Sequence, residues 1–235
     1  MRIMSKTKRL AIDFHVHVDE NVNYEKIPQM MRARNLDGAG IVTHNNFAFA
    51  KKVVKKFTRV DKTKVYFPGV EIDTADGHLL AFGINKEIPV NKSAAATVEL
   101  IRSLGGTSII PHPFMSHNSV GWTAANLKAD GMEFYNGFAK IFLNFPNIMA
   151  KVAFKYNGFS PLGGSDSHYH KAIGTCFTWV EIDGKPSEEK ILAAVKRGAT
   201  FPAIRPIDQY DLVNFIRIVF TPKKGRKVVR FLDYF

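Results

Sequence analysis

The sequence has a single cysteine, Cys176, among 235 residues, so no disulfide can form within the chain and a reducing compartment is expected. It has no apolar run near the roughly 18 residues that a membrane span requires. Its first ten residues hold no apolar signal-peptide core. Pro/Gly/Ser-rich linkers, low-complexity segments and internal repeats are also missing, which leaves one domain, or one domain with a small appendage. Acidic residues are in deficit, 21 against 33 basic ones, for a formal charge of +12. That surplus favours anionic partners such as phosphate esters, nucleic acid or acidic lipid, and does not choose among them. We therefore expect a cytoplasmic protein without a membrane partner. A 46% hydrophobic content, with 12% aromatic residues, supplies a sizeable core and excludes a disordered chain.

What the chain does contain is an alternation of short apolar runs and amphipathic stretches. Strands are expected at 10–14, 39–43, 65–72, 79–84, 107–110, 132–135 and 176–182. Helices are expected at 24–36, with Asn23 as N-cap and Pro28 in the first turn, and at 47–60, 93–104, 148–156 and 188–197. In the helix 47–60, Val53, Phe57 and Val60 recur on one face, while Lys51, Lys52, Lys55, Lys56 and Arg59 line the other. Phe142, Phe145 and Phe154 read as core residues. Strands alternating with helices through short loops indicate a parallel α/β architecture. Residues 207–235 break this rhythm and carry Lys223, Lys224, Arg226, Lys227 and Arg230, which suggests a basic extension packed on the main domain.

The histidines are not scattered. His15 and His17 are two apart on the first strand, so both imidazoles point to one face. His44 ends the second strand, Glu71 the third, and His112 a later one; Asp166 and His168 follow Gly163-Gly164, and His78 starts its strand. Groups at the carboxyl ends of parallel strands converge on one face of a barrel. Neutral imidazole is the commonest metal ligand, so the pattern points to a metal site with Asp19 just beyond the first pair.

Seven motifs then follow one another in the order of a known family. They are Asp13-Phe-His-Val-His17, Thr43-His44, Gly69-Val-Glu71, Gly77-His78-Leu-Leu, Pro111-His112-Pro113, Glu133-Phe-Tyr-Asn136 and Gly164-Ser-Asp-Ser-His168. Across residues 10–175 the chain resembles the polymerase-and-histidinol-phosphatase (PHP) family of trinuclear metallohydrolases, and the region after it resembles the associated carboxy-terminal segment of some members. The resemblance implies a distorted (β/α)7 TIM-like barrel over residues 1–206, with a short C-terminal extension at 207–235. It implies two to three divalent ions (Zn, Mn or Fe). His15, His17, Glu71 and Asp166 would hold the first; Glu71 would bridge to a second with His78 and His112; Asp19, His44 and His168 would take the third. The family usually has an aspartate where Thr43 stands, and the spacing from His17 to Asp19 is shorter than usual. Glu133 and Asn136 are expected to brace loops.

Three dications bring six positive charges against Asp19, Glu71 and Asp166, leaving about +3 in a cleft suited to a phosphate ester. Two ions roughly 3.5–4 Å apart can share a hydroxide and clamp the oxygens of the displacement. Glu71 and Asp166 would then be catalytic through the metals, without a protein nucleophile. His117, His170 and Arg205 are candidate substrate contacts. The leading expectation is a metal-dependent phosphoesterase acting on a small phosphorylated metabolite or nucleotide. The alternative is an exonuclease-like phosphodiesterase acting on nucleic acid, motivated by the basic stretches. An amidohydrolase also starts from H-x-H on a barrel strand, and a non-catalytic module with structural metals is a further reading.

Overall fold

In the computed structural model the described residues are 7–18, 24–115 and 118–206. Asn23, Asp19, His117 and the basic extension 207–235 lie outside them. The central strand is β1 (Thr7–His17), whose residues from Leu10 onward are buried. β2 (Gly38–Val42) and β3 (Val65–Thr74) follow in parallel beside it. Between them run α1 (Ile27–Ala33) and α2 (Phe47–Val60). A 3-10 turn, Tyr24–Lys26, precedes α1, and Pro28 lies in its first turn as expected.

The chain then departs from a purely parallel rhythm. β4 (Gly77–Phe82) runs antiparallel to β3, because only Ala75 and Asp76 separate the paired Thr74 and Gly77. Two residues suffice for a hairpin, whereas a parallel crossover needs a dozen or more. β5 (Thr107–Ile110) follows α3 (Ala94–Ser103) and pairs antiparallel with β4. β6 (Gly131–Asn136), α4 (Phe145–Phe154) and β7 (Ser160–Gly164) restore the parallel order. β8 (Cys176–Asp183) returns antiparallel along the other edge of β1, and after α5 (Glu188–Lys196) a strand that the sequence reading did not anticipate, β9 (Thr200–Ile204), pairs with β8.

The sheet order is β7-β6-β5-β4-β3-β2-β1-β8-β9. It is a nearly closed, barrel-like α/β sheet of the expected class, with nine strands where seven were expected; β7, like β9, was not among the seven. Contacts of β7 and the segment after it with β8 and β1 close the sheet. The Thr178 hydroxyl accepts from the Gly163 amide (2.8 Å) and donates to its carbonyl (3.0 Å), joining β8 to β7. A parallel bridge between Val16 and Ser167 joins β1 to the segment after β7.

Phe14, Phe67 and Phe82 fill the interior, with ring centroids 5.4–6.1 Å apart in edge-to-face contacts. Each such pair is worth about 0.5–1.5 kcal/mol beyond the area it buries. Ile191, Leu192 and Val195 of α5 belong to the same cluster. Ser160 at the start of β7 donates to Val195, and Lys196 donates to Gly105 just before β5 (3.3 Å). α5 thus closes the end of the barrel where the parallel strands begin, leaving the other end for the histidines.

Two expectations about packing are corrected. Val60 is 68% exposed, because α2 buries Phe47, Ala50, Val53 and Phe57 and its last turn runs past the sheet. Phe154 is buried, but Phe145 is exposed and Phe142 half-buried, because α4 turns Asn147, Ala150 and Phe154 inward. Among the described residues no helix is long and apolar enough to cross a membrane.

Candidate metal centre

The end of β1 presents His15 and His17 on one face, both fully buried, with their Nε2 atoms 3.0 Å apart. The Ser167 amide donates to the His15 carbonyl and the His17 amide to the Ser167 carbonyl, each at 3.2 Å. Through that bridge the segment after β7 sets Asp166 beside the pair: its Oδ1 is 3.6 Å from His15 Nε2 and 3.4 Å from His17 Nε2. Asp13, buried below, accepts from the amides of Ser165 (2.9 Å), Gly174 (2.8 Å) and His15 (3.2 Å), tying the same segment to β1. Burial pushes its carboxyl up to about 6, against the pull of those hydrogen bonds.

Glu71, at the end of β3, is the hub. Its Oε1 is 2.9 Å from His78 Nδ1 and 3.0 Å from His112 Nε2. Its Oε2 is 3.2 Å from His17 Nε2, 3.4 Å from His44 Nδ1 and 3.6 Å from His15 Nε2. His78 reaches the hub because β4 is antiparallel, so the start of β4 lies beside the end of β3. Thr43 contributes through its backbone, accepting from the Glu71 amide (3.0 Å), and its hydroxyl donates to Asn46 at the head of α2 (2.6 Å). The rings of His17 and His168 stack at 3.9 Å, with His44 4.8 Å from His17. His44 and His168 are the open members, with side chains 38% and 53% exposed.

Four groups bring three donor atoms within 4.8 Å of one another: His15, His17 and Glu71; His15, His112 and Asp166; His44, Glu71 and His78; and His17, His44 and His168. Their chemistry fits a cation. Glu133 Oε1 lies 3.0 Å from His15 Nδ1, and an ionised carboxylate can only accept, so neutral His15 carries its proton on Nδ1. Its Nε2 lone pair then faces His17 Nε2 and two carboxylate oxygens. Ligand atoms bound 2.0–2.1 Å from a tetrahedral ion stand about 3.3 Å apart, close to the separations here.

The electrostatics point the same way. Burial alone would lower the His15 pKa, but Asp166, Glu133 and Glu71 outweigh it and raise it well above its ordinary value. His112 is raised despite burial, chiefly by its contact with Glu71. Burial opposes ionisation of Glu71 and Asp166, yet His15 and the surrounding imidazoles hold both well below the usual carboxylate range. The cluster therefore favours positive charge where its nitrogens converge. Two of its members sit in left-handed backbone, His112 at φ 27° and Asp166 at φ 51°. Such geometry in non-glycine residues costs on the order of 1–3 kcal/mol and recurs at functional sites.

Around this shell, Glu133 accepts from the His112 amide (3.0 Å) and from Asn136 Nδ2 (2.8 Å), and Asn136 also reaches Asp166 (3.3 Å). Asp73 was missed by the sequence reading. Its Oδ1 lies 3.1 Å from His78 Nε2, and its Oδ2 accepts from Asn45 Nδ2 (2.7 Å). Its signal was the two-residue spacing from Glu71, which places both on one face of β3. Two further candidates, His170 and Arg205, have the following surroundings. His170 is half-buried with its ring 4.6 Å from Tyr169. Arg205 donates to the carbonyls of Gly174 (2.9 Å) and Arg34 (2.7 Å) and lies over the Phe177 ring, so it clamps backbone instead of closing over the cluster. The lysines of α2 point outward, and Lys56 pairs with Glu25 at 2.6 Å. No feature of the described residues joins that stripe to the cluster, and nothing supports a nucleic-acid partner.

A barrel-like α/β sheet with imidazoles and carboxylates gathered at one end defines the class of protein. Comparison with known proteins shows what the chain is similar to. Residues 145–200 match the PHP-associated family, PHP_C, so the associated segment begins earlier than expected and includes Asp166 and His168. PsfC from Pseudomonas syringae has a similar fold, with a TM-score of 0.70, 14% identity, and coverage of 90% of this chain and 98% of that one. A Bifidobacterium adolescentis protein, assigned by inference as a metal-dependent phosphoesterase, gives a TM-score of 0.52 at 12% identity over 87% and 95% of the two chains. Two uncharacterized Methanocaldococcus jannaschii proteins are similar in sequence. MJ1587 is 28% identical over 131 residues, 54% of this chain and 72% of its own length; MJ0417 is 26% identical over 180 residues, 72% and 69%.

Proposed function

We propose that this protein is a metal-dependent phosphoesterase that hydrolyses a phosphate ester of a small metabolite or nucleotide at the Glu71–Asp166 cluster. The observation that carries this reading is the convergence of imidazole nitrogens from His15, His17 and His112 on the carboxylates of Glu71 and Asp166. His15, His17, Glu71 and Asp166 would hold one ion, and Glu71 would extend its other oxygen to a second with His78 and His112. His44 and His168 would hold a third, with Asp19 from outside the described residues. Bound ions supply an acidified water nucleophile and positive charge against the phosphoryl oxygens.

The chain's own residues do the rest. Glu133 fixes the His15 ring, and Asn136 steadies the Asp166 carboxylate. His44 and His168 are exposed enough to meet an incoming phosphate. Counting Glu133 and Asp73 with Glu71, Asp166 and Asp19, five carboxylates face the six charges of three dications, a net charge nearer +1 than +3. That still attracts a phosphate dianion, with less pull than the sequence alone suggested.

The test is elemental analysis of protein reconstituted with zinc or manganese, followed by a panel of phosphorylated metabolites and nucleotides. Two to three equivalents and turnover of a small phosphate ester are expected. Fewer than one equivalent, or a loaded protein inert toward every ester, would sink the reading.

A further inference from the structure

Two short stretches, 112–115 and 118–120, hold both histidines of the proposed second cation site, and one hydroxyl joins them. Ser119 Oγ donates to the His112 carbonyl at 2.6 Å and accepts from the Met115 amide at 3.0 Å. The same oxygen lies 3.3 Å from His112 Nδ1. A carbonyl can only accept, so the single hydroxyl proton is committed to it. The contact with His112 then requires Nδ1 to be the donor. In the neutral ring, the form that can bind a metal, Nε2 is then a lone pair, 3.0 Å from Glu71 Oε1 and 4.0 Å from Asp166 Oδ2. Two acceptors aimed at each other at that range repel unless a proton or a metal cation lies between them.

The second of these stretches also grips His78. The His78 amide donates to the Asn118 carbonyl at 2.8 Å. Gly77 packs so closely that an added Cβ would stand 2.5 Å from the Ser119 carbonyl carbon and the Val120 nitrogen. Ser119 also secures the carbonyl of His112, the residue held at φ 27°.

We propose that Ser119 is a positioning residue for the second cation: it fixes His112 as the Nδ1-protonated tautomer, so that Nε2 and Glu71 Oε1 face one ion. This rests on the metal-binding reading above and assigns a role to a residue outside the ligand set. A ring nitrogen held by an outer hydrogen bond sets both the tautomer and the orientation of a ligating histidine.

The test compares full-length wild type, Ser119→Ala, Ser119→Thr and His112→Ala after zinc reconstitution. Bound zinc is measured by elemental analysis and chelator competition, and the His112 ring by long-range 1H–15N NMR. We expect wild-type His112 to carry hydrogen on Nδ1 and zinc on Nε2. Ser119→Ala should weaken one zinc equivalent about 10–100-fold while the others hold. Ser119→Thr, which keeps the hydroxyl, should restore it. A turn-capping serine with no role at the metal would lower the melting temperature without touching one equivalent selectively. Zinc affinities unchanged in Ser119→Ala, or a wild-type His112 protonated on Nε2, would overturn the proposal. If His112→Ala loses an equivalent and Ser119→Ala does not, the Ser119 role alone is wrong. If His112→Ala keeps every equivalent, His112 is not a ligand and both readings fall.

Discussion

Adding one methyl group at Gly164 probes the centre without removing any ligand. Gly164 ends β7, and a Cβ there would stand 2.6 Å from His15 Cβ and overlap Glu133 Oε1. The backbone cannot retreat, because the Gly164 carbonyl accepts from the Gly137 amide at 2.9 Å and its residue pairs with Asn136 across β6. Its φ is not in the left-handed region, so alanine carries no backbone strain and gains about 0.4–1 kcal/mol by restricting the unfolded chain.

Overpacking costs about 1–3 kcal/mol, and displacing Glu133 weakens a charged hydrogen bond worth about 1.5–3 kcal/mol. Steric exclusion therefore wins, with a net loss of roughly 2–4 kcal/mol. At about 2–4 °C per kcal/mol for a chain of this size, the melting temperature should fall by roughly 5–15 °C. With Glu133 pushed off His15 Nδ1, zinc affinity in chelator competition should fall about 10–100-fold. Gly158→Ala is the control: φ is +80° and nothing lies within 4 Å of its Cβ, so it should cost about 1–2 kcal/mol and leave zinc binding alone. A Gly164→Ala protein with wild-type zinc affinity and melting temperature would refute the reasoning, as would an equal loss of zinc in both variants.

Glu133→Gln should weaken zinc about 10–100-fold without removing a ligand, because its amide cannot serve the His15, His112 and Asn136 donors equally; unchanged chelator competition would contradict this. Arg205→Ala should lower stability by about 1–3 kcal/mol through the lost carbonyl contacts. It should leave KM for a small phosphate ester within about threefold, and a raised KM at unchanged melting temperature would return Arg205 to the substrate. Hydrogen bonds from Thr63, helped by Arg32 and opposed by burial, hold Asp61 below the usual carboxylate range. Its stabilisation is therefore present above the ordinary carboxylate pKa and lost as pH falls through the depressed one. Acid unfolding of Asp61→Asn should lose that contribution to the slope below pH about 4, and superimposable acid profiles would count against it.

The barrel was legible because its strands are continuous apolar runs and three of its helices open on Asn46, Ser93 and Ser187, each accepting an amide of the first turn. Strand direction was harder to read. Apolar runs carry no polarity, and the hairpin at Ala75-Asp76 was visible only as a turn-rich stretch. β9 was missed because Thr200–Ile204 is short, contains Pro202 and alternates weakly, which suits an edge strand.

The direction of β4 decides how His78 should be understood. At the start of a parallel strand it would lie at the closed end of the barrel, near α5 and far from Glu71. The two-residue hairpin reverses β4, pairs Asp73 with His78 and Glu71 with Leu80, and so brings the beginning of one strand to the end of the other. The register also puts Asp73 at the ring's outer nitrogen. The ligand types and their strand-end positions could thus be read from composition and spacing. Of the second layer, Glu133 and Asn136 were legible only as braces for loops, and Asp73 and Ser119 were not singled out; the contact of Glu133 with His15 spans 118 positions. The closed sheet brings them together: Glu133 sets which nitrogen of the His15 ring faces inward, as we propose Ser119 does for His112.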